Sequence, residues 1–243
     1  MKRVILFPLV IIALLLSGCM YPSGQLSKNQ VPNEIQLEMV QRAISQYAEN
    51  NNGLLPIRTK DMDTPIFQKY LIEFTKLKEQ GLLDSTPGTA FENGGVYQYV
   101  IITPEDNPTV KVIDLRLAEQ IRSLQTSINL YRSEHSYPPF GEEVEDGMYK
   151  INYEKIGLDH DPYVVSPYSG INLPIVMDTN GQVQIDYRSD LYDALQTYEH
   201  NYEKGDDIRY LLTDHYPFAP AYSLPYTVID GEPHFLIDDT AVR

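Results

Sequence analysis

The sequence has no tryptophan and a single cysteine, Cys19, among its 243 residues. A lone cysteine excludes an intramolecular disulfide. Positive charge is also scarce, since 19 Lys and Arg residues face 34 Asp and Glu residues, for a formal net charge of −15. Such a surface repels phosphates and anionic lipid headgroups. We therefore expect no nucleic-acid partner, and no basic patch that could hold the chain at a membrane.

The sequence motifs of common active sites are missing as well. There is no Gly-x-Ser-x-Gly, Ser-x-x-Lys or His-Glu-x-x-His motif, and no Gly-rich phosphate loop. Asp159-His160-Asp161 and Asp214-His215 could form a metal or proton site, but loop histidines bonded to their neighbours explain them more simply. The acidic run from Glu142 to Asp146 indicates a solvated loop. We expect no enzymatic activity, no metal and no cofactor.

The N-terminus has the features of a signal peptide. Lys2 and Arg3 precede an apolar stretch, residues 4–16, that only Pro8 interrupts. As a helix this stretch would be about 20 Å long, well short of the roughly 30 Å of membrane hydrocarbon. We expect residues 1–18 to be removed rather than to span a membrane.

The residues that end this stretch, Leu16-Ser17-Gly18-Cys19, resemble the lipobox of bacterial lipoproteins of the Gram-positive type. The resemblance implies that Cys19 receives diacylglycerol and becomes the first residue after cleavage. It places the chain on the extracytoplasmic face of the cell membrane. An ordinary secretory signal is the alternative. Residues 19–33 have no apolar periodicity and are predicted to be a flexible tether.

Beyond the tether, helical spacing of apolar residues recurs three times. The stripes are Leu37, Val40, Ile44 and Tyr47; Ile121, Leu124, Ile128 and Tyr131; and Leu191, Leu195, Tyr198 and Tyr202. Each is followed by a loop rich in Pro and Tyr and by two strands. The pattern predicts an α+β fold of three helix-plus-hairpin units, residues 34–116, 117–188 and 189–243, with helices packed on small antiparallel sheets.

Local signals refine these units. Thr64 as N-cap, Pro65 and a terminal Gly81 predict one extra helix in the first unit, with Ile66, Tyr70, Phe74 and Leu77 on its buried face. Asn180-Gly181 predicts a type I′ hairpin turn in the second unit, and Asp230-Gly231 gives a similar signal in the third.

Residues 117–187 are similar in order to the soluble part of type II secretion pseudopilins. The matching segments are Tyr131, Tyr137-Pro138, Pro167-Tyr168-Ser169-Gly170, Leu173-Pro174-Ile175-Val176 and Asp178-Thr179-Asn180-Gly181. The resemblance implies a long helix against a small antiparallel sheet. The processing motif, the long N-terminal apolar helix and the Asp-Pro-Trp-Gly signature of that family are absent. Size and anchoring also resemble the solute-binding lipoproteins of ABC transporters, which usually have two α/β lobes with parallel strands.

Tyrosines gather in the Pro-rich loops and suggest a binding groove that could stack sugars or hold an extended peptide. They are Tyr137, Tyr163, Tyr168, Tyr216, Tyr222 and Tyr226. Packing of the loops onto the sheets is the alternative.

These observations favour a non-enzymatic binding or interaction module of the cell envelope, held to the membrane through diacylglycerol on Cys19. Its partner would be an envelope protein, a wall polymer or a small solute. The alternatives are the solute-binding component of a transporter and an envelope hydrolase with an unrecognised site. A hydrolase would need a carboxylate or histidine of displaced pKa in a cleft.

Overall fold

The computed structural model describes residues 34–237. The predicted signal peptide, the lipobox (Leu16, Ser17 and Gly18), Cys19 and the tether lie outside these residues. The described part combines helices with several small antiparallel sheets, which confirms the α+β class. None of the helices within residues 34–237 combines the length and apolarity needed to cross a membrane.

The first part of the fold is a helix on a four-stranded antiparallel sheet of order β1-β2-β3-β4. Its elements are α1 (Glu34–Asn50), β1 (Ile57–Thr59), α2 (Ile66–Lys69), β2 (Tyr70–Ile72), α3 (Phe74–Glu79), β3 (Tyr97–Ile102) and β4 (Thr109–Asp114). The predicted stripe of α1 is confirmed, since Val40 and Ile44 are fully buried. Successive side chains of a strand point to opposite faces. Accordingly Tyr99 of β3 belongs to the core under α1, and Val100 belongs to the core on the other face.

The extra helix predicted from Thr64 to Gly81 is wrong as a single element. Residues 70–72 form strand β2 and separate two short helices, and the first helix is capped by Pro65 rather than Thr64. Leu71 pairs with Val100 of β3 and with Arg58 of β1. An aromatic and two aliphatic residues in a row fit a buried strand as well as a helix. Pairing on both sides decided between them.

The second part begins with α4 (Leu115–His135), which follows β4 without a loop. It packs on an antiparallel sheet made of β5 (Phe140–Glu145), β6 (Met148–Ile151), β7 (Tyr163–Val165), β8 (Asn172–Asp178) and β9 (Val183–Ile185). The order is β5-β6-β8-β7, with β9 beside β8. This is the helix-on-sheet layout that the pseudopilin resemblance implies. The predicted acidic loop is wrong, because Glu142, Glu143 and Glu145 lie in strand β5, where Glu143 and Glu145 pair with residues of β6.

The third part contains α5 (Arg188–Thr197), α6 (Arg209–His215) and the hairpin of β10 (Tyr226–Ile229) and β11 (Glu232–Phe235). The stripe predicted to run through Tyr202 is too long, because α5 ends at Thr197. The backbone of Tyr198 is already extended, and its ring stacks on His215 of α6 at a centroid distance of 3.5 Å. Tyr198 therefore packs its ring on α6, and α5 does not continue through Tyr202.

The two predicted hairpin turns differ. Asp230 and Gly231 both have positive φ, 53° and 83°, between the paired residues Ile229 and Glu232, as a type I′ turn requires. At the other turn only Gly181 has positive φ, so type I′ is wrong there. The carboxylate of Asp178 instead accepts the N–H groups of Asn180 and Gln182, both at 2.8 Å. Hydrogen bonds to the Asp178 side chain therefore hold this turn, in place of the predicted type I′ backbone conformation.

The buried residues form one core that spans the second and third parts and two cores on the two faces of the first sheet. The shared core takes residues from α4, from the five-stranded sheet, from α5 and α6 and from the last hairpin. The second and third helix-plus-hairpin segments therefore bury their apolar faces against each other.

Residues 216–222, called here the docking segment, join the third part to the first. Val112 of β4 donates its N–H to the carbonyl of Pro217 at 3.0 Å and accepts the N–H of Ala219 at 2.9 Å. This parallel bridge covers the outer edge of β4. The ring of Phe218 enters the core beneath α1 and meets Tyr97 edge-on at a centroid distance of 5.9 Å.

We expect Phe218→Ala to lower the free energy of unfolding by about 3–5 kcal/mol, because it leaves a cavity in the core of a part of the chain that is distant in sequence. Urea unfolding of the full chain measures the loss. Phe91→Ala, at a ring that is 58% exposed, is the matched control and should change stability by less than about 0.5 kcal/mol. Equal effects of the two substitutions would contradict the assigned role of the docking segment.

Candidate binding surfaces

The six tyrosines of the predicted groove lie in three different environments. Tyr226 is fully buried, and its hydroxyl donates to the carbonyl of Ile185 at 3.0 Å. Tyr168 contacts Tyr216 edge-on at 5.3 Å, and Tyr222 is half-buried beside the docking-segment alanines. Because Tyr226 is inside the core, these six residues cannot line one groove.

The two remaining tyrosines are exposed, but they pack in different places. Tyr137 is 48% exposed and contacts Tyr131 at the end of α4, with ring centroids 6.0 Å apart. Tyr163 is 46% exposed and lies beside His160, at a centroid distance of 5.8 Å. The alternative reading, in which the tyrosines pack loops onto sheets, describes four of the six.

The pKa values of the buried tyrosines follow their surroundings. Burial raises the pKa of Tyr168 and Tyr226 well above the usual value, because the ionised form would lose its water. A hydrogen bond with Tyr198 is the main cause that raises the pKa of Tyr216 to about 12. All three therefore stay neutral at physiological pH and serve as packing and hydrogen-bonding groups.

The two histidine motifs lie at different cavities. His160 Nδ1 lies 3.0 Å from the carbonyl oxygen of Asp161, whereas His215 stacks on Tyr198. His215 borders a cavity of about 380 Å³ together with His200 and Asp214. Within residues 34–237 no group of three or more His, Cys, Asp or Glu side chains is placed to hold a metal ion. His160 therefore contacts the residue that follows it, whereas His215 ends α6 and stacks on a residue at the end of α5.

A groove of about 400 Å³ lies between α4 and the edge strand β7, and is called here the α4–β7 groove. Helix α4 contributes Gln120, Ser123, Leu124 and Ser127, which recur at the three- and four-residue spacing of one helix face. The sheet side contributes Leu158, His160, Pro162, Tyr163 and Ile175.

Strand β7 holds the sheet side of the groove in place. It pairs antiparallel with β8, with Tyr163 opposite Pro174, and the carbonyl of Pro162 accepts the N–H of Ile175 at 3.2 Å. Leu124 and Ile175 are 7% and 4% exposed and form the floor. Tyr163 and Leu158 stand at the rim with their side chains partly in solvent.

A second cavity of about 350 Å³ lies between the β3–β4 loop and α6, and Lys111 borders it. Burial lowers the pKa of Lys111, and its ammonium group donates to the carbonyl of Tyr216 at 2.9 Å. The loop is tight, since Thr103 has a φ of 47° and its hydroxyl donates to the carbonyl of Asn107 at 2.6 Å. A shifted lysine beside strained backbone is typical of active sites. Here the lysine fastens the docking segment to β4.

Another cavity, of about 550 Å³, is bordered by an ion cluster. Arg188 Nη2 lies 2.6 Å from Asp186 and Nη1 lies 3.3 Å from Glu145. The other oxygen of Glu145 lies 2.9 Å from His234 Nδ1. Each charged group has a partner from another element, so the cluster joins β5, the start of α5 and β11.

Among residues 34–237, one buried carboxylate has a raised pKa, as the general acid of a hydrolase would need. Asp190 is 3% exposed, and burial raises its pKa although its oxygens accept hydrogen bonds from Ser169 (2.5 Å) and Ser166 (2.8 Å). Asp190 borders none of the four cavities described above. Both oxygens are used to hold the loop that contains Tyr168 against α5.

Sequence analysis also missed a tripeptide that recurs at three helix starts. In Asp114-Leu115-Arg116, Asp186-Tyr187-Arg188 and Asp207-Ile208-Arg209, the carboxylate accepts both the arginine backbone N–H and its guanidinium. Each guanidinium also lies over an aromatic ring, Tyr97, Phe235 or Phe67. The repeated Asp-x-Arg spacing, at the ends of two predicted units and within the third, was the signal available in the sequence. The first two copies end at the predicted unit boundaries.

Comparison with known proteins gives one match. Residues 33–114 match the model of the YphF family N-terminal domain. The match covers α1 to β4 and ends where α4 begins, so the chain is similar to that family in its first part. No curated protein and no solved structure matches the chain.

We expect the stability of Asp190→Asn, relative to the unsubstituted chain, to increase as the pH rises from about 4 to 7. Because burial raises the folded-state pKa of Asp190, its contribution to stability is fully present below the pKa of the unfolded chain. That contribution is lost as the pH rises through the folded-state pKa. Asparagine does not titrate and has no such loss. Urea unfolding of both proteins across this pH range measures the difference in their free energies of unfolding. A difference that stays constant or falls as the pH rises would contradict the prediction.

Proposed function

We propose that the protein is a membrane-anchored extracytoplasmic lipoprotein that acts as a non-enzymatic binding module, with the α4–β7 groove as its binding surface. The proposal rests on the position of several exposed large apolar side chains. Leu158, Tyr163, Val165 and Ile171 are 38%, 46%, 55% and 43% exposed and come from one short stretch of the chain, in which Leu158 and Tyr163 border the groove. Contiguous exposed apolar residues mark interaction sites, whereas scattered ones are ordinary.

The groove offers binding contacts rather than reacting groups. Its walls contain no carboxylate and no lysine or arginine, and His160 is the one titratable side chain besides Tyr163. General acid–base or nucleophilic catalysis needs a second group that orients the first. No such pair borders this groove, which favours a binding role over an envelope hydrolase.

The anchoring part of the proposal is supported by the sequence. Two acyl chains on Cys19 would supply the membrane affinity that stable attachment needs. The net charge of −15 opposes attraction to an anionic membrane surface, so a lipid would have to hold the protein there. A transporter's solute-binding component is less favoured, because the sheets of the described residues are antiparallel.

We expect Cys19→Ala to leave the precursor unprocessed or to release the chain from the membrane, because no cysteine remains to accept lipid. Cell fractionation together with incorporation of labelled fatty acid measures both effects. Ser17→Ala is the matched control, since it keeps a small residue in the lipobox and should be processed and retained. Unchanged processing and membrane association of Cys19→Ala would refute the anchor.

We expect a photoreactive p-benzoylphenylalanine at position 165 to capture the ligand in intact cells, because Val165 lies two residues from Tyr163 on the same side of β7. The same substitution at Tyr192, which is 44% exposed and lies on α5, should give no such adduct. Adding Tyr163→Ala should abolish the adduct at position 165. Capture that is equal at both positions, or absent from position 165, would refute the groove as the binding surface.

A further inference from the structure

We infer that the ligand of the α4–β7 groove is a neutral oligosaccharide that stacks one sugar ring on Tyr163. This inference rests on the proposed function, since it names the ligand class of the same surface. Three properties of the groove lead to it: the absence of charge from its walls, an exposed aromatic ring, and side chains that can both donate and accept hydrogen bonds.

Charge narrows the ligand class first. The groove walls carry no acidic residue and no lysine or arginine, and the chain as a whole carries a formal charge of −15. Phosphate-bearing or acidic polymers would be repelled by the protein and would find no fixed cation in the groove. Cationic ligands would find no carboxylate. A neutral ligand has neither difficulty.

The exposed ring of Tyr163 narrows the ligand class further. Tyr163 is 46% exposed, and its ring is tilted by 33° against the imidazole of His160, which limits its movement on that side. The floor of Leu124 and Ile175 is apolar. A sugar ring has an apolar C–H face that covers an aromatic ring and hydroxyl groups around its edge, and a surface with both properties suits it.

The helix side supplies partners for hydroxyl groups. Within residues 34–237 the Gln120 amide and the Ser123 hydroxyl have no hydrogen-bond partner, and both border the groove. Ser127 donates to the carbonyl of Ser123 at 3.3 Å and can still accept. Amides and hydroxyls both donate and accept, as sugar hydroxyls do. The volume of about 400 Å³ falls within the usual range of ligand sites, roughly 300–1,000 Å³.

An extended peptide is the competing ligand, and the groove suits it less well. A peptide that adds to a sheet edge bonds along a run of free backbone groups. Strand β7 has three residues and is preceded by Pro162, which lacks an N–H. The opposite wall is helix α4, whose backbone groups in this stretch bond within the helix. The short edge strand therefore offers a peptide few backbone groups, and the helix side of the groove offers side chains alone.

The test is binding of short oligomers of N-acetylglucosamine to the full lipidated chain in a zwitterionic detergent, which avoids competition from sugar headgroups. Isothermal titration and ligand-observed NMR measure it. Tyr163→Ala should weaken binding at least tenfold, Tyr163→Phe should keep most of it, and Tyr192→Ala should have no effect. Gln120→Ala and Ser123→Ala should each weaken it severalfold. Circular dichroism of each variant verifies that it is folded.

The inference is overturned if the oligomers do not bind, if Tyr163→Ala binds as well as the unsubstituted chain, or if anionic oligosaccharides bind equally well. An adduct at position 165 that consists of protein or peptide, with no saccharide binding, would overturn the inference and leave the proposed binding function standing. Absence of both the adduct and saccharide binding would overturn the two together.

Discussion

The pairing of the docking segment with β4 is the contact on which the rest of the structure depends. It joins parts of the chain that are far apart in sequence, since Lys111 and Tyr216 are separated by 105 residues. Phe218 completes the core beneath α1, and Ala219 and Ala221 cover the opposite face of the same sheet. The similarity to the YphF family domain ends at residue 114. In this chain, the core of that region therefore includes the side chain of Phe218, which comes from outside it.

The Asp-x-Arg tripeptides give the starts of α4, α5 and α6 the same local geometry. At each one, a carboxylate satisfies the N–H that a helix start leaves free and at the same time fixes a guanidinium over an aromatic ring. The surroundings then differ, because the side chain of Arg116 is 58% exposed and that of Arg209 is 5% exposed. An exposed pair of this kind contributes little to stability, whereas a buried one cannot lose a partner without a large cost. The same tripeptide therefore has an exposed arginine at the start of α4 and a buried arginine at the start of α6.

How far the sequence predicted the structure depended on whether local or distant contacts decided each element. The stripes of α1 and α4 were long enough for helical spacing to settle them. Residues 66–79 were not, because Leu71 suits either state and its pairing partner Val100 comes later in the chain. Contacts distant in sequence also decide which tyrosines lie at the proposed binding surface. Tyr163 and Tyr226 occupy similar loop positions in the sequence, yet one is at a surface and the other in the core, and only tertiary packing separates them.

The second and third parts differ in the lengths of their helices and in their strands, and the α4–β7 groove belongs to the second part. Helix α4 has 21 residues, and the polar side chains of Gln120, Ser123 and Ser127 lie alongside its buried stripe at the groove. The helices of the third part have 10 and 7 residues, and they bury Leu191 and Leu211 in the shared core. Its two-stranded hairpin has no counterpart of β7. Among the residues that the structure describes, the second of these two parts alone therefore sets a long helix beside an edge strand such as β7. A ligand bound there would contact helix α4, strands β7 and β8 and the loop that leads into β7, so regular elements and a loop would position it together.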